Sequence, residues 1–119
     1  MGKAEYTGET GLSEEAVLLR DSAIAFCNRD AAVGRLQTLK NDAVEFDRDV
    51  WRAMTELGWS AILVPESAGG LGMTLGAACI VARELGKVVA PEPFLESSGL
   101  ATLLLDNLPV DEAINDLLG

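Results

Sequence analysis

The sequence contains no histidine. That removes the side chain that most often serves as a general base and most often ligates zinc, so triad or zinc chemistry within this chain is not expected. Cysteine is scarce as well: Cys27 and Cys79 stand far apart, outside any CxxC or metal-spaced pattern. Both fall on apolar stretches of predicted helix, where a free thiol behaves as a small hydrophobe. A buried thiol is therefore the favoured reading of each, ahead of a disulfide or a nucleophile. Aromatic residues make up only 5% of the chain, while Ala, Leu and Val abound, a balance that favours close-packed helices over sheet. Positive charge is short too, with nine Lys and Arg against nineteen Asp and Glu, a net charge of −10. Such a chain lacks the positive field that nucleic acid binding needs and is repelled by anionic lipid, so neither is an expected partner. No apolar run approaches membrane-spanning length. The polar start MGKAEYTGETG has no apolar signal-peptide core, and the chain reads as cytoplasmic.

What is present suits one compact domain: 119 residues, 49% of them hydrophobic and 24% charged. Residues 1–11 are Gly- and Thr-rich without periodicity and read as a loose tail, with the domain running over 12–119. Leu12, Ala16, Leu19, Ala23 and Phe26 then recur at helical spacing, with Ser13 as N-cap and Glu14 and Glu15 at the positive helix end. The polar stretch from Asn28 to Glu45 reads as a connection. Asp47 is the expected cap of a second helix, with Phe46 and Trp51 at the N′ and N4 positions of a hydrophobic staple. Val50, Trp51, Met54 and Leu57 form its inward face, and Gly58 is its expected terminator.

The apolar run Trp59–Val64 is expected to cross the core in extended form. Pro65 then opens the turn-rich PESAGGLG, in which Gly69, Gly70 and Gly72 permit positive φ. A Gly-rich loop before a helix can also cradle phosphate, but this one lacks the P-loop Lys-Ser/Thr and does not match GxGxxG; a tight structural loop is the stronger reading. Thr74 is the predicted cap of a third helix, stopped by Gly86 and apolar most of the way round, with Leu75, Ala78, Cys79, Ala82 and Leu85 on one face. Pro93 fits position N1 of a fourth helix, followed at helical spacing by Phe94, Ser97, Ser98, Ala101, Leu104, Leu105 and Leu108. Its serines read as core residues bonded back to the preceding turn, or else as the lining of a partly polar cavity. Pro109 breaks that helix, and a short last one is predicted from Asp111. The expectation is an all-α bundle of about five helices.

The order of motifs adds to this. Trp51, Glu56-Leu57-Gly58-Trp59, Pro65-Glu66, Gly69-Gly70-Leu71-Gly72, Arg83-Glu84-Leu85-Gly86 and Ala90-Pro91-Glu92-Pro93-Phe94 together resemble the N-terminal domain of the acyl-CoA dehydrogenase family. The last of these stretches looks most like actinobacterial and related members, including those acting on bulky or sterol-derived thioesters. The resemblance implies FAD-dependent α,β-dehydrogenation of an acyl-CoA, in an oligomer reoxidised by an electron-transfer flavoprotein. In the family the flavin lies between a middle β domain and a C-terminal helical bundle, and the bundle carries the catalytic glutamate. Both domains are expected to lie outside these 119 residues. Nothing matches that base, and Glu66, Glu92 and Glu96 are not assigned its role. What the resemblance implies for this chain is a wall of the acyl and flavin cavity, with Phe94, Leu95, Ser98 and Thr102 as candidate lining residues. No catalytic, cofactor-binding or metal-ligating residue is expected, and the chain alone is expected to be inactive and without FAD. The alternatives are a free-standing helical module docking onto a partner subunit, or a purely structural helical adaptor.

Overall fold

The computed structural model describes residues 12–108; the expected tail and the expected last helix from Asp111 lie outside the described residues. Among the described residues the architecture is all-helical, without a strand. Five α-helices follow in order: α1 (Glu14–Arg29), α2 (Arg35–Asn41), α3 (Arg48–Glu56), α4 (Leu75–Lys87) and α5 (Thr102–Asp106). A π-helical segment, Phe94–Ala101, runs straight into α5, and short 3-10 turns occupy Trp59–Ala61 and Glu66–Ala68.

Local chemistry sets the helix starts. Ser13 Oγ accepts from Ala16 N at 3.2 Å, Asp47 Oδ1 from Asp49 N at 2.9 Å, and Thr74 Oγ1 from Ala77 N at 3.2 Å. Each satisfies an amide that has no partner within the helix. Phe46 and Trp51 flank the Asp47 cap as expected, both half-buried.

At the ends of α2, α3 and α4 a left-handed residue succeeds the C-cap. At α3 it is Gly58, φ +82°, as expected. Helix α4, however, runs through Gly86 to Lys87 before it stops, and the left-handed residue is Val89, φ +51°. Val89 N donates to Gly86 O at 3.1 Å and Ala90 N to Leu85 O at 3.0 Å, the paired bonds of a Schellman turn. Helix α2 ends the same way on Ala43, φ +53°, with Val44 N donating to Leu39 O. A β-branched residue is strained in this region, and the Val89 side chain is mostly solvent-exposed, so little packing offsets the strain. Val89→Asn is expected to raise stability by about 1 kcal/mol, since Asn tolerates left-handed backbone. A thermal melt with an unchanged or lower midpoint would show the residue unstrained.

Helix α1 packs chiefly on α4, and the π-helical segment on α4 and the Trp59 turn. Between them lie Phe26, Cys27, Met54, Trp59, Ile62, Val81, Leu85 and Phe94. Burial, then the nearby Glu84 carboxylate, push the Cys27 thiol above its ordinary pKa, which suits a packing residue rather than a nucleophile.

Several expectations are corrected. The polar stretch after α1 holds helix α2, which has no fully buried residue and only two half-buried leucines, Leu36 and Leu39, too few to mark an apolar stripe in the sequence. The run Trp59–Val64 is not extended: it coils through a 3-10 turn that places Trp59, Ile62 and Val64 inward. Of the expected inward face of α3, Leu57 is exposed and Trp51 only half-buried. Helix α4 is buried on one face only: Ala78, Val81 and Leu85 turn into the core while Leu75 and Cys79 face outward, and the charged Glu84 is buried and accepts from Lys87 Nζ at 2.9 Å. Pro93 stands one residue before its helix rather than inside it. Ser98 Oγ finds no partner among the described residues. An α-helical serine reaches the carbonyl four residues back, and the wider π winding carries that carbonyl round the axis.

Candidate functional site

Two features offer themselves to a ligand or partner. The first is a cleft of about 640 Å³ between the opening turns of α1 and α4, bordered by loop residues 71–73. Leu12, Ala16, Leu19, Met73, Ala77 and Ile80 give it an aliphatic lining, with Glu15, Cys79 and Arg83 among its polar groups. None of the four residues singled out from the sequence lines this cleft.

The second feature is the stretch from Phe94 to Leu108, which separates those four residues. Phe94, Ser98 and Thr102, spaced four apart, turn inward and are buried; Thr102 Oγ1 donates to Ser97 O at 3.3 Å. Leu95 turns outward and is 64% exposed, and Leu100, Leu103, Leu104 and Leu108 further along the stretch are exposed as well. Five leucines are thus open to solvent within fourteen residues, which concentrates exposed apolar side chain on this stretch. The body carrying it measures 43 × 43 × 19 Å, a slab about two helices thick.

The amides across the glycines of the loop are all engaged within the chain. Gly69 N donates to Glu66 O, Gly70 N to Pro65 O, Leu71 N to Ala61 O, Gly72 N to Val64 O and Met73 N to Ile62 O, at 2.8–3.1 Å. A phosphate cradle needs backbone N–H groups aimed outward, so this loop does not fit the pyrophosphate of a dinucleotide or of coenzyme A. Gly70 is there for a different reason: a Cβ on it would lie 2.1 Å from Val64 O. Among the described residues no cluster of His, Cys, Asp and Glu could hold a metal, and no helix is long and apolar enough to cross a membrane.

The strongest polar constellation went unread in the sequence. Glu92, whose side chain is 0% exposed, accepts two bonds from the Arg35 guanidinium, Nη1 to Oε2 being 2.8 Å, and a third from Asp47 N at 3.0 Å. The only trace it leaves in the sequence is a carboxylate held between Pro91 and Pro93.

The model of the family described as acyl-CoA dehydrogenase, N-terminal domain, matches residues 13–108, most of the chain. This chain belongs to the acyl-CoA dehydrogenase family. Among curated relatives, acyl-CoA dehydrogenase IpdE2 of Mycolicibacterium smegmatis is 32% identical over 107 residues, which cover 89% of this chain and 34% of that protein. IpdE2 of Mycobacterium tuberculosis is 32% identical over 93 residues, 77% of this chain and 29% of that one. The chain thus spans about a third of the length of the acyl-CoA dehydrogenases it matches. No solved structure matches it.

Proposed function

We propose that this chain is the N-terminal domain of a flavin-dependent acyl-CoA dehydrogenase and that its Phe94–Leu108 stretch covers one side of the acyl cavity. The observation that carries the reading is the row of exposed leucines on that stretch. An apolar surface shaped by aliphatic side chains suits either an acyl chain or the helices that enclose one, and closing it excludes water from the reacting thioester. Leu95 is the residue of the original four best placed for such contact; Phe94, Ser98 and Thr102 hold the stretch onto its own core. FAD would supply the electron sink for the β hydride, held by parts of the enzyme other than these residues, and electron-transfer flavoprotein would accept the electrons. An oligomeric enzyme acting on a fatty acyl or sterol-derived acyl-CoA is the corresponding assembly.

α,β-Dehydrogenation needs a base within reach of the α carbon and a hydride acceptor on the opposite side. A wall provides neither. The purified 119-residue chain is therefore expected to be colourless and to reduce no artificial acceptor when given acyl-CoA. Mixed or fused with the remaining two-thirds of such an enzyme, it should restore both flavin colour and turnover, and Leu100→Glu should prevent that restoration. A yellow preparation of this chain alone, with stoichiometric FAD, would refute the reading.

A further inference from the structure

Helix α2 is an odd element. None of its seven residues is fully buried, and it takes no part in the main helix contacts. What it delivers to the fold is Arg35. The guanidinium, with a side chain 15% exposed, forks onto a carboxylate that is wholly enclosed, the arrangement in which Arg gives both charge and direction. The third bond to Glu92 comes from the backbone N–H of Asp47, the N-cap of α3. One carboxylate thus joins α2, the start of α3 and the segment that precedes Phe94.

That segment is stiff beyond the ion pair. Phe94 N donates to Glu92 O at 2.8 Å across Pro93, whose φ of −79° and ψ of 54° make an inverse γ-turn. Proline allows almost no other φ. The position of the Glu92 carboxylate is therefore passed directly to the residue at which the π-helical segment begins. From these contacts we infer that Arg35 and Glu92 are a positioning pair that fixes where the wall stretch starts and in which direction it leaves, with α2 serving as the carrier of Arg35. Leu95 lies three residues beyond the carboxylate, so a shift of the pair moves the exposed leucine row relative to whatever covers it. The link to substrate rests on the reading of Phe94–Leu108 as a cavity wall; the positioning itself does not.

The test has two arms. In the first, amide hydrogen exchange is followed residue by residue in the 119-residue chain for wild type, Arg35→Met and Arg35→Lys. Loss of the fork should speed exchange at 97–102 by about tenfold or more in Arg35→Met, with Arg35→Lys in between, while the inner amides of α1 and α4 stay within about twofold. Equal acceleration everywhere, or none at 97–102, overturns the inference, and Arg35→Lys decides the matter should Arg35→Met fail to fold. In the second arm, Arg35→Lys in the complete enzyme should raise KM for acyl-CoA several-fold and leave kcat nearly unchanged. Local exchange without a KM change would keep the positioning pair and overturn the wall reading instead.

Discussion

Gly70→Ala is expected to destabilise the domain by about 3–5 kcal/mol, more than most single methyl groups can. The added Cβ would stand 2.1 Å from Val64 O and 2.4 Å from Val64 Cβ. The nearest atom is backbone, so no rotamer change relieves the contact. The loop has to part from the Trp59–Val64 turn, and parting breaks the bonds from Leu71 N, Gly72 N and Met73 N to Ala61, Val64 and Ile62. Each such bond contributes about 1 kcal/mol net, which is how a methyl group acquires so large an effect. Gly86→Ala is the control. A Cβ there meets nothing within 4 Å, and the residue is helical, so that substitution should stabilise by about 0.5–1 kcal/mol. Urea melts of the two variants should move in opposite directions. If Gly70→Ala melts like wild type, the loop does not approach Val64 as described; if titration with CoA shows binding that Gly70→Ala abolishes, the loop is a phosphate site after all.

Gly58 and Gly86 show which parts of the fold were legible. Helix starts were read correctly at Ser13, Asp47 and Thr74, because a cap is a contact between residues two or three apart and leaves its signature in that span. Helix ends were read only where the left-handed residue happened to be Gly58. At Val89 and Ala43 the backbone takes the same conformation without the residue that advertises it, so Gly86 drew a stop three residues early. The run Trp59–Val64 illustrates a different limit: a short apolar stretch reads alike as strand or buried turn, and only the return of the loop over it decides. Helix α2 left little trace since periodicity reports apolar burial, and α2 has no fully buried residue, only Leu36 and Leu39 half-buried beside the polar Arg35.

In the candidate site, Phe94, Ser98 and Thr102 already stood four apart in the sequence, the spacing of one helix face, and Leu95 stood off it. The four were grouped by segment rather than by face, and the structure divides them as the spacing would have. The Arg35–Glu92 pair could not have been found that way. Its partners are 57 residues apart, and no local pattern says that a carboxylate between two prolines is buried.

Trp59→Ala should cost about 3–5 kcal/mol, the range for truncating a buried large aromatic, and should exceed the loss from Trp51→Ala. The sequence set Trp51 on the inward face of its helix and Trp59 at the start of an apolar run through the core. The structure separates the two: Trp59 is 3% exposed, whereas Trp51 is half-buried. Trp59 also meets the Phe26 ring edge-on, centroids 5.0 Å apart and planes at 65°, a geometry worth about 0.5–1.5 kcal/mol beyond area. Through it the 3-10 turn after α3 is tied to α1, a join that no other aromatic pair makes among the described residues. Trp51→Ala removes a staple and part of a half-covered surface, so its loss should be nearer about 1–2 kcal/mol. The measurement is a set of chemical melts followed by far-UV circular dichroism, since fluorescence would lose its reporter. Combining Trp59→Ala with Phe26→Leu should give less than the sum of the two single losses, by about the ring–ring energy. A Trp51→Ala variant less stable than Trp59→Ala would place the core on the wrong side of α3.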